Sequence, residues 1–452
     1  MGGWITTKLL KRGEDPHCIR LLDLNPPTSH HPAVKDSLSK GAQFFKVDIT
    51  DSVALQAAFA APWPDASSSS SSATDPDITV FHTAANIRFY ERHPSLLSRS
   101  TRVNVQGTKN VVSAAQSIGA NVLVYTSSGS VGIKNTRFLL WPWEKEPRFF
   151  LQVLDDGDAE KLPPPRRHED FFSNYAASKM EAETFVRASD KEITTSSAGT
   201  KTLLRTGCIR PGNCIFGPGG DQVCGSYLMR RNNPSWTSKL FHAFSYVENC
   251  ALAHLLYEQR LIDLMTSDRN YPDIGGQAFC ITDPGPSPTN GDVYTALETL
   301  SKGECHFPSM SPTGMLLLAH AIEFYYLIQQ SLSTTGWNWL LPKVGSDLIN
   351  LQPSLFSLVT FHLIFDDSRA RLSPEKGGLG YVGSWTTMEG VYKTFQDHKT
   401  GLGSTKMKSD ISGVNLNFSC RRRKVKKNMT GSLDKVGGQT VAVSPVEIIK
   451  VE

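Results

Sequence analysis

A chain of 452 residues is long enough for about two to four domains and a sizeable buried core. Its 35 glycines and 26 prolines are close to average usage, which excludes collagen-like, mucin-like and wholly disordered chains. The net charge is +4, but residues 401–452 hold ten Lys/Arg against four Asp/Glu, so the first 400 residues are near neutral and lack the basic face of a nucleic-acid binder.

In chain order, Trp4 to Arg12 has the spacing of an amphipathic helix ending at Gly13, and Ile19 to Leu24 reads as a buried strand. Ala42–Val47 and Ile78–His82 are further strands, with a short helix over Val53–Ala60 between them. The insertion 61–77, with the run Ser67 to Ser72, cannot bury apolar surface and is expected to be disordered. A helix over Thr101–Ser117 and a strand over Asn121–Tyr125 follow. Residues 132–170 form a long Pro-rich insertion carrying the apolar cluster Phe138 to Trp143, read as a lid or a surface loop. A helix from Tyr175 to Ala188 and a strand from Thr206 to Arg210 complete the regular part. This alternation predicts an α/β fold: a Rossmann-like, doubly wound parallel sheet over residues 1–213, a smaller α/β substrate region over 214–400, and a disordered basic tail over 401–452.

The eight cysteines (18, 208, 214, 224, 250, 280, 305, 420) include no CxxC pair and no metal-ligand spacing, so thiols in a reducing compartment are expected, without bound metal or disulfides. Met1 to Lys8 lacks the pattern of a signal peptide. The most apolar stretch, within 314–328, contains His320 and Glu323 and is short of the ~20 residues needed to span a bilayer. Two readings remain for it: a helix buried against Phe356–Phe365, or one lying in a membrane interface with Tyr325, Tyr326, Trp337 and Trp339 as anchors.

Four features carry chemistry. Asp23 ends a strand twenty-one residues after Gly2, where an acidic side chain can accept from ribose hydroxyls or simply make a turn. Tyr125-Thr126-Ser127-Ser128 puts hydroxyls at a strand's carboxyl end, where open parallel sheets bind ligands. Tyr175 and Lys179 lie four apart on one helical face, and a cation beside a phenol favours the phenolate. The run Arg210 to Asp221 is rich in Gly and Pro and lets backbone approach a ligand closely.

With Val80–Ala85, Asn104–Val112, Tyr246–His254, Gly276–Asp283 and Leu379–Tyr381, these stretches resemble the extended short-chain dehydrogenase/reductases, specifically the 3β-hydroxysteroid dehydrogenase/isomerase family. Within it they are most similar to the subgroup of decarboxylating sterol-4α-carboxylate 3-dehydrogenases. The resemblance implies that Tyr175 is the general acid/base, that Lys179 lowers its pKa and holds the nicotinamide ribose, and that Ser128 binds the reacting oxygen. It further implies NAD as cofactor, with Gly2 at the pyrophosphate, Asp23 on the adenosine ribose, Asp48 and Ile49 flanking adenine, Ala84 and Ala85 along the cofactor, and Pro211 and Cys214 at the nicotinamide. Asn104 would support the active-site helix.

The implied reaction is oxidation of a sterol 3β-hydroxyl, with decarboxylation of a 4α-carboxylate. The alternatives are a ketoreductase or alcohol dehydrogenase of secondary metabolism, or a non-catalytic relative. The implied partners are an apolar small molecule and a membrane surface, with room for a homodimer, and the implied location is the endoplasmic reticulum membrane, peripheral or monotopic, against a cytoplasmic alternative. The family opens with a strand and a Gly-x-x-Gly-x-x-Gly turn. Here Gly2 aligns with the last of those glycines, so the strands flanking that first strand are expected to have unpaired edges.

Overall fold

The computed structural model describes residues 1–27, 31–64, 77–136, 142–147, 149–157, 166–196, 199–221, 223–266, 270–337, 339–401 and 446–451. Ser67–Ser72, Phe138–Trp141 and Arg421–Lys427 lie outside the described residues.

Helix α1 (Gly2–Arg12) ends where Gly13 turns left-handed at φ 104°, a conformation that favours glycine. Strand β1 (Ile19–Asp23), α2 (Pro32–Ser39), β2 (Gln43–Lys46), α3 (Ser52–Phe59) and β3 (Asp77–His82) follow. After α4 (Leu97–Thr101) the helix widens into a π segment at Arg102–Gly107 before α5 (Thr108–Ser117). Then come β4 (Val122–Thr126), β5 (Leu151–Leu154), α6 (Asn174–Ala188), β6 (Glu192–Thr195), β7 (Lys201–Pro211), β8 (Ile215–Phe216), β9 (Ser245–Tyr246), β10 (Gln277–Ile281), β11 (His362–Phe365) and β12 (Val446–Val451), with helices between the later strands.

The main sheet runs β10-β7-β4-β3-β12-β1-β2, with β6 antiparallel on β7. All its pairs are parallel except those of β6 and β12. Successive strand residues go to opposite faces. Leu22, Val80, Leu123 and Cys208 pack with Leu55, Val111 and Val186 from α3, α5 and α6. Leu21, Phe81, Val124 and Ile209 pack on the other face with Ile5 and Leu9 of α1 and Leu255 of the helix Val247–Thr266. The sheet is thus covered on both sides, as the alternation predicts.

Three expectations are corrected. The edges of β1 and β3 are not open: β12 lies antiparallel between them, with Val446 opposite Leu22 on one side and His82 on the other. The tail therefore ends in an ordered strand, because two neighbouring strand edges leave a row of backbone groups that a third strand satisfies. The boundary at residue 213 is also crossed, since β10 and the helix Val247–Thr266 belong to the main sheet and its cover. Finally, the insertion 132–170 supplies β5, which pairs in parallel with β11 and links the insertion to the substrate region.

The helix Pro312–Thr334 packs one face into the protein, and Tyr326, expected as a membrane anchor, is buried with its hydroxyl donating to Glu91 Oε1 at 2.7 Å. Met315, Ala319 and Ile322 pack on Leu351 and Phe356, while Leu317 (68%) and Phe324 (69%) stay exposed on the same helix. Among the described residues no helix is long and apolar enough to cross a membrane.

Candidate active site

The carboxyl ends of β1, β3, β4 and β7 lie along one edge of the sheet, and most of the sequence-predicted residues gather there. Ser128 follows β4 and caps a short turn, with its Oγ accepting from Ser130 N at 3.2 Å and lying 2.8 Å from Ser130 Oγ. Helix α6 begins at the N-cap Ser173, whose hydroxyl accepts from Ala176 N at 3.2 Å. This start places Tyr175 in the first turn, half-buried and near Ser128. Burial pushes the Tyr175 phenol up to about 12, the nearby Ser128 hydroxyl opposing it and Cys214 adding to it.

Lys179 is one turn further on and fully buried. Its Nζ donates to Thr126 O at 2.7 Å and to Tyr125 Oη at 3.1 Å. Burial lowers the ammonium to about 7, with Cys208 and Glu183 opposing that shift. The two side chains share a helical face, as the spacing predicts, but in this state burial outweighs any lowering of the phenol by Lys179.

Asn104, inside the π segment, joins α6 to the segment that follows β3. Its Nδ2 donates to Ser178 Oγ at 2.9 Å and its Oδ1 accepts from Asn86 N at 2.7 Å. Ser178 Oγ in turn donates to Tyr175 O at 2.9 Å. A π turn at such a site is a recurrent way to re-aim one side chain of a helix.

Asp23, half-buried at the end of β1, accepts from Asn25 N at 2.9 Å. Asp48 accepts from Thr50 N at 2.9 Å. Ile49 is buried, and its Cδ1 lies 2.5 Å from where a Cβ on Gly107 would stand, so the two pack closely. Ala84 and Ala85 are buried just past β3, Pro211 is buried at the end of β7, and Cys214 is half-buried beyond it with its thiol pushed up to about 12 by burial. Gly2 opens α1, and Trp4 Nε1 donates to Pro218 O at 3.1 Å, tying that helix start to the Gly-Pro-rich loop. Beside β1 at this edge lies β12, which runs antiparallel to it.

The family model for the 3-beta hydroxysteroid dehydrogenase/isomerase family matches residues 1–303. The chain belongs to this family. Among curated relatives, it is 27% identical over 394 residues to 3beta-hydroxysteroid-dehydrogenase/decarboxylase isoform 2 of Arabidopsis thaliana, covering 83% of this chain and 57% of that protein. It is 34% identical over 197 residues to a decarboxylating sterol-4-alpha-carboxylate 3-dehydrogenase of Candida albicans, covering 41% and 45%. It is 30% identical over 411 residues to a 3 beta-hydroxysteroid dehydrogenase/Delta 5-->4-isomerase of Mycobacterium tuberculosis, covering 86% and 85%. The chain spans about half to two thirds of the length of the first of these relatives. Among solved structures, a UDP-glucuronic acid 4-epimerase from Bacillus cereus in complex with NAD aligns with a TM-score of 0.52 at 15% identity, over 89% of this chain and 96% of that one, which establishes the Rossmann-like fold.

This family member also holds a buried network that the sequence does not single out. Glu183, one turn after Lys179, is fully buried. It accepts from Ser127 Oγ at 2.5 Å and from Arg210 Nε at 2.9 Å, while Arg210 Nη2 pairs with its other oxygen. Arg210 Nη1 donates to Asp156 O at 2.6 Å. The Arg210 guanidinium holds the Glu183 carboxyl below the usual range against its burial. One ion pair thereby fixes α6, the Ser127–Ser128 strand end and the start of the Pro211–Cys214 loop relative to each other. The only sequence signal was the extension of the Tyr175, Lys179 stripe by one more i+4 step. His82 is the other hidden member: it is neutral, its pKa lowered to about 3 by burial and Lys179, and its Nε2 lies 2.9 Å from Thr108 Oγ1.

Proposed function

We propose that the protein oxidises a 3β-hydroxyl of a sterol or steroid-like substrate with NAD, and that a 4α-carboxylate, where present, is then lost as CO2. The observation that carries this reading is the proximity of Ser128 to the Tyr175 phenol at the carboxyl edge of the sheet, with Lys179 buried one turn away.

The residues fit a dinucleotide at both ends. Asp23 supplies a carboxylate for ribose hydroxyls, the Gly107–Ile49 contact supplies a close-packed wall, and Tyr175 with Lys179 supplies donors for the second ribose. At the pyrophosphate they offer only the first N–H groups of α1. Arg20 offers no counter-ion for a 2′-phosphate, since its guanidinium donates to Phe59 O and Ala61 O at 2.7 Å each. This supports NAD over NADP.

When bound beside these residues, NAD would supply the hydride acceptor for the carbinol carbon. Tyr175 takes the hydroxyl proton and Ser128 donates to the oxygen that becomes the ketone. Lys179, with its positive charge beside the site, stabilises the phenolate that must form before transfer. In a 3-keto-4-carboxylate the bond from C4 to the carboxyl carbon then breaks, its electron pair forms the enolate, CO2 departs and C4 takes up a proton. No additional residue is required for that step.

Sterols partition into bilayers, and the exposed face of Pro312–Thr334 supports monotopic seating on a membrane of the endoplasmic reticulum. Leu317 and Phe324 on the helix and Trp337 (53%) and Trp339 (75%) just past it are all exposed.

The test is NADH formation with a 3β-hydroxysteroid. Tyr175→Phe should reduce turnover by about 10²-fold or more while NADH binding, read by fluorescence, stays near wild type. Equal turnover in that variant overturns the assignment.

A further inference from the structure

We propose that Glu91 and Tyr326 are positioning residues for Tyr175: their hydrogen bond ties the helix Pro312–Thr334 to the segment 86–93, and that segment holds the first turn of α6 in place. For its kinetic consequence this rests on the dehydrogenase reading. It adds two residues on which the reaction depends although neither is placed at substrate or cofactor.

Glu91 is a carboxylate with almost no access to water. It is 1% exposed, and its Oε1 accepts from Tyr326 Oη at 2.7 Å, from Arg88 Nη1 at 3.1 Å and from Arg99 Nη1 at 3.4 Å. A buried charge stays where its donors are, because leaving it unpaired is strongly unfavourable. Arg88 and Arg99 flank Glu91 in the chain, whereas Tyr326 comes from a distant helix, so the shortest of the three bonds is the one that fixes the segment in space. Its neighbours repeat the attachment. The Tyr90 ring meets the Tyr326 ring edge-on at 6.2 Å, and Arg92 Nε and Nη2 donate to the two carboxylate oxygens of Glu323 at 2.7 Å each.

The carbonyls of the same segment face the catalytic helix. Glu91 O accepts from Asn174 N at 2.8 Å, and His93 O accepts from Asn174 Nδ2 at 3.0 Å. Asn174 is the first residue of α6, and the first N–H groups of a helix have no partner within it, so Glu91 O satisfies a donor that the helix itself cannot. One turn on, Ser178 is held by Asn104, whose Oδ1 accepts from Asn86 N at the start of the segment. Tyr175 therefore lies between two clamps, at 174 and 178, both anchored on 86–93. Only the Glu91–Asn174 bond and one peptide unit separate the Tyr326–Glu91 pair from the residue that carries the phenol.

Proton transfer needs the phenol within hydrogen-bond reach of the substrate oxygen, and a misplacement of about 1 Å can cost about 10²-fold in rate. The loss of one hydroxyl at Tyr326 shifts the first turn of α6 by less than that, and it leaves Asp23, Asp48 and the adenosine end of the cofactor untouched.

The experiment uses the full chain with Tyr326→Phe, which removes the hydroxyl and keeps the ring against Tyr90, and Glu91→Gln, which keeps the shape and an acceptor but removes the charge. Tyr326→Phe should lower kcat for NAD-dependent oxidation of a 3β-hydroxysteroid about tenfold while KM for NAD stays within about twofold of wild type. In the Glu91→Gln background the same change should cost about threefold or less, because the hydroxyl then donates to a neutral amide. Deuterium exchange followed by mass spectrometry without substrate should be faster in Tyr326→Phe for peptides covering residues 172–177, with the strands of the main sheet exchanging as in wild type. A kcat within about twofold of wild type, an equal cost in both backgrounds, or unchanged exchange at the start of α6 overturns the proposal. Exchange that quickens throughout the main sheet also overturns it, since the hydroxyl then supports the whole fold and not the position of Tyr175. If the wild type oxidises no 3β-hydroxysteroid, the dehydrogenase reading fails instead and exchange alone decides the positioning: faster exchange confined to the start of α6 supports it, and unchanged or general exchange overturns it.

Discussion

Replacing Glu183 by Gln removes one charge from an ion pair with no access to water while leaving its shape intact. At the observed 2.9 Å and an effective dielectric of about 20, the attraction is about 6 kcal/mol. In the wild type that gain is offset by stripping water from both ions. In the variant, Arg210 stays desolvated and loses its partner, so the expected destabilisation is about 3–5 kcal/mol. Against a total stability of about 5–15 kcal/mol this is a large fraction. Urea denaturation followed by circular dichroism should show it as a lowered midpoint. The double variant Glu183→Leu with Arg210→Met should recover most of the loss, because neither charge then remains buried. The pH dependence gives a second reading. The folded Glu183 carboxyl titrates below its ordinary value, so its contribution is complete above about pH 4.3 and is lost as pH falls through the lower folded value. Glu183→Gln should lack that acid limb. Lys179 should also lose its proton at lower pH in the variant, since Glu183 raises its pKa. A Glu183→Gln protein within about 1 kcal/mol of wild type at pH 7 would refute the claim that this pair supports the site's geometry.

Asp23→Ala should improve kcat/KM with NADP while lowering it with NAD, because the carboxylate at the end of β1 repels a 2′-phosphate; steady-state kinetics with both cofactors check this. Deleting residues 446–452 should lower the thermal midpoint and promote aggregation, since β12 is bonded on both sides and its loss bares the edges of β1 and β3. Changing Leu317, Phe324, Trp337 and Trp339 to Ser together should abolish flotation with anionic vesicles and leave the fold intact by circular dichroism, because all four are exposed.

The local pattern was enough to locate β1, β3, β4 and the Tyr175 helix, each within a residue or two, because those segments are buried on both faces or carry clear caps. It was also enough to put Ser128 just past the carboxyl end of β4, where the strand ends of a parallel sheet share one edge. The rest depends on contacts distant in sequence. Val446–Val451 alternates in the manner of a strand, but it pairs with residues hundreds of positions away, and the Gly, Ser and Lys residues before it dominate the compositional reading. Nothing local in the sequence pairs Glu183 with Arg210, which face each other inside the protein. The helix Pro312–Thr334 was ambiguous because it has two apolar faces and only one of them finds a protein neighbour.

The central claim is most directly tested by incubating the protein with NAD and a 3β-hydroxy-4α-carboxysterol labelled at the carboxyl carbon, measuring NADH and released CO2 together. The account predicts equimolar NADH and labelled CO2 with a 3-ketosteroid as product, and neither from Tyr175→Phe. CO2 release without NADH, or a wild-type protein that binds NAD and the sterol yet forms neither product, would contradict it.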